Sequence, residues 1–126
     1  MGAQKGTVMI LEIAVAKTLE AAADTLQARG FHQGMFTANE YDENAPVCAW
    51  GAINAALGYD PAGMWERAPG SGADHAPALS VAAMTALNCH LGTSAIHWND
   101  EPGRTADEVV AALRGAAADA RAAWRP

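Results

Sequence analysis

A cysteine, two histidines and an acidic turn are the residues of this chain that could perform chemistry. Cys48 lies where a helix is expected to begin, and the dipole of such a helix lowers the pKa of a thiol. His90 or His97 would act as the base, and Asp100 or its neighbour Asn99 would orient that base. This order along the chain is that of papain-like enzymes, although triads are defined by geometry. The alternative, which the pattern favours, is that Cys48 is a small buried residue in a first helical turn.

A second group of polar side chains lies in the turn between Trp98 and Thr105. A ligand-binding hypothesis assigns Asn99 and Asp100 as polar contacts and Arg104 as a clamp for an anionic group at a helix N-terminus.

The same turn also has a purely structural interpretation. Pro102 and Gly103 match the central positions of a type II turn. Thr105 and Glu108 have the spacing of a capping box, in which each side chain bonds the backbone N–H of the other residue. Both interpretations can hold together, since a turn that starts a helix can also contact a ligand.

The sequence offers residues for two further kinds of site, a partner contact and a metal site. Trp65 lies beside Met64 in a weakly patterned stretch, where it could be an exposed anchor for a partner or fold back onto the core. A metal site would have to gather Cys48, Cys89, His90 and His97, which lack the C-x-x-C or H-x-x-x-H spacing that puts two ligands on one face. We therefore expect neither a metal nor another cofactor.

Composition restricts the class of protein. The 126 residues are 51% hydrophobic and rich in alanine, which predicts one helical domain over residues 1–126 with closely approaching helices. The net charge of −6 and the scattered basic residues argue against nucleic acid as a partner. No apolar run reaches the roughly 18 residues of a membrane span, so we expect a soluble, cytoplasmic protein with reduced cysteines.

Four segments have the apolar spacing of helices, at about 7–28, 47–57, 77–91 and 105–124. In the first of them, Leu11, Val15, Leu19 and Leu26 define the face that is expected to be buried. Residues 31–46 form a polar connection in which a short hairpin could occur, and the loop at 59–76 has no clear pattern. The predicted fold is an all-α, compact bundle of three to four main helices.

Several of these features together resemble a known family. They are Arg29-Gly30 at the end of the first helix, Gln33-Gly34, the Cys48-Ala49-Trp50-Gly51-Ala52 helix start and the Trp98–Thr105 turn. This pattern is similar to a family of small uncharacterised proteins of actinobacteria and their phages, a domain of unknown function. The resemblance implies an all-helical cytoplasmic domain and brings no activity, cofactor or catalytic residue. His97 departs from the family pattern, in which an apolar residue commonly precedes the Trp.

The sequence favours a non-catalytic binding or regulatory module that contacts an unknown protein or small molecule. The first alternative is a thiol enzyme of the hydrolase or transferase type, built on Cys48, His97 or His90, and Asp100. The second is a structural protein that self-associates through the small residues Gly51 and Ala55. We expect no contact with a membrane, while a homo-oligomer remains open.

Overall fold

The computed structural model describes residues 2–39, 42, 44–59 and 76–123, and within these ranges the fold is all-α, as predicted. Side chains are described from Leu11 onward in the first helix and from Ala78 onward in the third. The helices are α1 (Gly2–Arg29), α2 (Ala49–Ala56), α3 (Ala76–Leu91), α4 (Ala95–Asn99) and α5 (Ala106–Ala123). None of the described helices is both long and apolar enough to cross a membrane.

Helices α1 and α5 form the centre of the bundle and run antiparallel. Arg114 donates to Asp24 at 2.9 Å, whereas Arg121, two turns later in α5, donates to Glu20, one turn earlier in α1. Buried alanines on both helices allow a close approach, and leucines fill the remaining space. The buried set includes Ala16, Leu19, Ala22, Ala23 and Leu26 from α1, and Val109, Leu113, Ala116 and Ala117 from α5.

Leu11 differs from the prediction that it belongs to the buried face of α1. Its side chain is 50% exposed. Arg121, in the last described turn of α5, pairs with Glu20, and Leu11 lies more than two turns before Glu20 in α1.

The connection between α1 and α2 is organised around Val47. Phe31 and Thr37 form isolated bridges with Val47, the first parallel and the second antiparallel. The N–H of His32 donates to the Val47 carbonyl at 2.9 Å, and the N–H of Val47 donates to the Gly30 carbonyl at 3.0 Å. The antiparallel bridge is all that the described residues form of the expected hairpin. Together the two bridges hold residues 30–38 against the start of α2.

Helix α4 was not predicted. Ser94 Oγ accepts the N–H of His97 at 3.5 Å, and Asn88 Oδ1 accepts the N–H of Ala95 at 2.7 Å. One of these caps is local, but the other comes from the last turns of α3. A five-residue helix therefore forms where the sequence pattern is too short to indicate one.

Candidate functional site

Asn99 connects α4 to the start of α2. Its side chain is 3% exposed, and its Oδ1 accepts the backbone N–H of Ala49, the first residue of α2, at 2.9 Å. The first N–H groups of a helix have no partner within that helix, so an amide oxygen placed there satisfies a buried donor. Asn99, predicted as a ligand contact, thus caps a helix from a distant part of the chain.

Asp100 fastens the segment that follows α1. Its Oδ1 accepts both the backbone N–H of Gly34 and Nδ2 of Asn99, each at 2.9 Å. Beside this contact, Nε2 of Gln33 donates to the carbonyls of Asn99 and Glu101 at 3.0 and 2.7 Å. The Gly34 N–H, followed by the Asn99 amide, lowers the pKa of Asp100. Both bonds end on Oδ1, and Oδ2 has no hydrogen bond among the described residues.

Arg104 is occupied by contacts within its own turn. Its guanidinium lies 3.8 Å from the centre of the Trp98 ring, and Nε donates to the Trp98 carbonyl at 3.0 Å. The two terminal nitrogens donate to Glu108 and Glu101 at 2.9 and 2.7 Å. The side chain is 13% exposed. These contacts favour a structural role for Arg104 over the predicted clamp for an anionic ligand.

The turn and the cap after Asp100 have the predicted geometry. The N–H of Arg104 donates to the Glu101 carbonyl at 3.1 Å across Pro102 and Gly103, and Gly103 has the positive φ of 84° that a type II turn requires. The N–H of Thr105 donates to Glu108 Oε1 at 3.0 Å, and the N–H of Glu108 donates to Thr105 Oγ1 at 3.2 Å. The capping box is confirmed.

Gly51 allows the segment held by Asp100 to lie directly on α2. A Cβ atom at this position would overlap the carbonyl oxygen of Phe36, and the same oxygen accepts the N–H of Cys48 at 3.1 Å. Gly51 is therefore covered by its own chain. This arrangement takes away one of the two small residues on which the self-association hypothesis depends, the other being Ala55.

Cys48 is the N-cap of α2, and its Sγ accepts the N–H of Gly51 at 3.3 Å. Burial raises the pKa of the Cys48 thiol, and this effect outweighs the opposite influence of the N–H groups of Gly51 and Trp50. A nucleophilic thiol requires the reverse shift. The helix start at Cys48 was predicted, but the expected thiolate character is opposed by its surroundings.

The two candidate bases have different surroundings. Nδ1 of His90 is 2.7 Å from Asp119 on α5, and its ring fills the space beside Gly115. His97 is exposed on α4. Within the described part of the chain, no hydrogen bond joins Cys48 to either histidine. The hydrogen bonds therefore do not assemble the nucleophile, base and orienting acid of the thiol-enzyme hypothesis.

Two adjoining cavities lie between residues 34–36, the start of α2, α3 and α4. The first has a volume of about 190 Å³, and its lining includes Met35, Phe36, Cys48, Trp50 and Asp100. The second has a volume of about 210 Å³ and extends along α3 past Val81. Trp50, Met84 and Ile96 line both cavities. We call the two cavities together the apolar groove.

Buried polar contacts hold the aromatic wall of the groove in place. Nε1 of Trp50 donates to Oγ of Ser80 at 3.2 Å, and the Ser80 hydroxyl donates to Oδ1 of Asn54 at 2.7 Å. Ser80 and Asn54 are fully buried. Phe36 packs edge-on against Trp50 with ring centres 5.7 Å apart. Trp50 therefore presents a fixed ring to both cavities.

The groove also gathers exposed apolar side chains. Among the described residues, four large hydrophobic side chains are exposed: Leu11, Met35, Val81 and Ile96. The last three line the groove, with exposures of 68%, 55% and 46%. Clustered exposed apolar side chains mark binding surfaces more often than scattered ones do.

Of the residues that line the groove, the sequence marked Cys48, Asn99 and Asp100 as site candidates, but it did not indicate that Met35, Trp50, Val81, Met84 and Ile96 belong to one surface. The only available signal was the helical spacing of Val81 and Met84, which resembles that of core residues. Trp65 lies outside the described residues. Among the residues that are described, no cluster of three or more His, Cys, Asp or Glu side chains could hold a metal ion.

The fold and the site define a class: a small all-helical domain whose polar turn Asn99-Asp100 holds the connection between α1 and α2 beside an apolar groove. The chain belongs to the family of unknown function DUF6197, whose model matches residues 11–119. That span contains every described part of the groove and of the polar turn. No curated protein and no solved structure matches the chain.

Proposed function

We propose that the protein is a non-catalytic binding module and that the apolar groove is its binding surface. The observation that carries this proposal is the position of Met35, Val81 and Ile96, three exposed apolar side chains around two adjoining cavities. Exposed apolar area costs free energy in water, and an occupant that covers it recovers that free energy. The fixed ring of Trp50 supplies a preformed wall, which lowers the entropy lost on binding.

The contacts of the other candidate residues support this function over catalysis. Asn99 and Arg104 are used to hold the turn and α2, so their polar groups contribute to the fold. The thiol of Cys48 lies at the groove, but its pKa is raised by burial. The groove thus supplies apolar contact area and one carboxylate, Asp100, which suits binding better than acyl transfer.

Binding to the groove can be tested with a small apolar probe before a natural partner is known. Phenol is titrated into protein labelled with ¹³C at the methionine methyl groups. We expect saturable shifts of the Met35 and Met84 methyl signals, because both side chains line the groove. Ile96→Gln should weaken this binding. Leu11→Gln is the matched control, since it replaces an equally exposed apolar side chain that does not line the groove.

Equal, non-saturating shifts of all methionine signals would contradict the proposal. So would an equal effect of Leu11→Gln and Ile96→Gln. Either result would show that phenol contacts apolar surface in general and has no preference for the groove.

We further infer that the protein acts in the cytoplasm and that its relatives occur in actinobacteria and their phages. Two free thiols, with Cys89 exposed, suit a reducing compartment. The origin depends on the sequence resemblance alone. Separating a native extract into cytosolic and membrane fractions tests the compartment, and recovery in the membrane fraction would contradict it.

A further inference from the structure

Beyond binding as such, we propose that the occupant of the apolar groove is a basic amphipathic helix of a partner protein. This inference depends on the proposed binding function, which it narrows to one kind of partner. Three features of the groove support it: the division into two cavities, the single negative charge at its edge and the adaptable side chains along it.

The size and division of the groove favour side chains over a compact ligand. Taken singly, each cavity, at about 190 and 210 Å³, is below the range of roughly 300–1,000 Å³ that is typical of small-molecule sites, so a compact ligand of that kind would have to span both. Trp50, Met84 and Ile96 separate the two cavities and are shared by both. Two apolar side chains three or four residues apart on one helix face project side by side, as two neighbouring cavities require.

The negative charge at the groove favours a positively charged partner. Asp100 is the one charged side chain among the described residues that line the groove, and its Oδ2 has no hydrogen bond within them. The whole chain carries a net charge of −6. A second copy of this chain would bring the same negative charge, whereas a helix with Lys or Arg beside its apolar face would approach favourably.

Methionines give the groove the ability to fit a helix surface. Met35 and Met84 line it from two different elements, the 34–36 segment and α3. Their unbranched thioether side chains adapt to an uneven apolar face, as in other grooves that accept amphipathic helices. Trp50, in contrast, is held by Ser80 and stays in place as the partner docks.

A displayed library of random peptides provides the first test. Peptides that bind the full chain are selected, and those that also bind the double variant Met35→Gln/Ile96→Gln are then removed. The control is a parallel removal with Leu11→Gln, which should take away nearly all binders because its groove is unchanged. We expect enriched peptides with apolar residues at three- and four-residue spacing and with Lys or Arg flanking them. Groove-dependent peptides that lack this spacing or this charge would overturn the inference while leaving the binding function intact.

A failure of the binding function itself has a different signature. In that case, no enriched peptide would be sensitive to Met35→Gln/Ile96→Gln, and phenol would also give no saturable shifts of the Met35 and Met84 methyl signals. Concentration-dependent dimerisation that Ile96→Gln abolishes, measured by sedimentation, would identify a second copy as the occupant and would also overturn the inference.

Asp100→Asn tests the charge separately from the apolar contacts. The variant keeps an oxygen that can accept the Gly34 N–H but removes the negative charge. We expect the variant to bind a selected basic peptide about two- to fivefold more weakly, as measured by fluorescence anisotropy, because one exposed ion pair contributes about that much. Asp107→Asn, an exposed acid on α5 outside the groove, is the control. Equal affinity of wild type and Asp100→Asn would show that the carboxylate does not recognise the partner's charge.

Discussion

Oδ1 of Asn99 accepts the N–H of Ala49 at 2.9 Å, so the last residue of α4 caps a helix that begins 50 residues earlier in the chain. The next residue, Asp100, accepts the N–H of Gly34. Two adjacent side chains thus hold both the start of α2 and the connection that crosses it. The groove is formed between these elements, and its shape depends on the two contacts.

Asn99→Ala should destabilise the fold by about 1–3 kcal/mol, because it leaves the buried N–H of Ala49 without an acceptor. The measurement is urea unfolding followed by circular dichroism. Asn44→Ala makes the same change at an exposed position and should alter the free energy of unfolding by less than about 0.5 kcal/mol. Equal losses in the two variants would show that the cap does not contribute to stability.

Gly51→Ala should be destabilising even though alanine is the better helix former. Its Cβ would overlap the Phe36 carbonyl oxygen, a backbone atom that cannot rotate away, and we expect a loss of about 1–3 kcal/mol. Gly115→Ala is the matched change in α5, where the neighbour is the movable His90 ring. That variant should stay within about 1 kcal/mol of wild type, because the gain in helix propensity offsets part of the crowding. Thermal melts of both proteins compare the two, and a larger loss for Gly115→Ala would contradict the close approach at Gly51.

Arg104→Lys should retain the positive charge but lose the planar stacking on Trp98 and the bond from Nε to its carbonyl. We expect a loss of about 1–2 kcal/mol, since a lysine cannot reproduce a stacked, multiply bonded guanidinium. Arg114→Lys provides the control, because Arg114 makes exposed contacts to Asp24 and Gln27, and should cost about 0–1 kcal/mol. Chemical denaturation of both variants gives the comparison. A loss at Arg114 equal to that at Arg104 would count against the stacked arrangement.

Cys48 should react with iodoacetamide more slowly than Cys89 at neutral pH. Burial raises the pKa of Cys48 and lowers its thiolate fraction, whereas Cys89 is exposed. Mass spectrometry of single-cysteine variants across a pH series gives both rates, and the Cys48 rate should continue to rise into the alkaline range. A Cys48 that reacts faster than Cys89 at pH 7 would revive the thiol-enzyme hypothesis.

Acid should weaken the attachment of the 33–34 segment. Hydrogen bonds from Gly34 and Asn99 lower the pKa of Asp100 in the folded state, so this carboxylate stabilises the fold above its unfolded pKa of about 3.9. The contribution is lost as the pH falls through the folded pKa. When the pH is lowered from 6 to below the folded pKa of Asp100, the urea midpoint of Asp100→Asn should therefore fall less than that of wild type. The variant should still lose some stability in acid, because the pKa of Glu108 is also lowered in the folded state. If the urea midpoints of the two proteins fell equally with decreasing pH, the stabilising role of the Asp100 carboxylate would be contradicted.

Much of the fold could be predicted because the signals are local. The stop of α1 before Gly30, the cap of α5 by Thr105 and Glu108, and the turn at Pro102 and Gly103 each depend on residues within a few positions of one another. Helical spacing likewise gave the positions of the long helices. The start of α2 was close to the prediction, with Cys48 as its N-cap.

The site could be predicted only in part, because its polar residues act across the chain. The pattern marked Asn99 and Asp100 as unusual, but a cap on Ala49 and a bond to Gly34 join residues 50 and 66 positions apart. The sequence marks Arg104 as a candidate for binding an anionic ligand, whereas in the fold its guanidinium is paired with its neighbours Glu101 and Glu108. Sequence spacing identifies polar groups, and only their partners decide whether a ligand is needed.

By itself, the sequence determined the helices and their ends, since backbone hydrogen bonds, capping and apolar spacing act over a few residues. The tertiary structure alone decided which apolar side chains remain uncovered. Met35, Trp50, Val81 and Ile96 meet at one groove because α3, α4 and the 34–36 segment pack around the start of α2 without filling the space between them. That outcome depends on the shapes of elements that are distant in the chain, which no local pattern records.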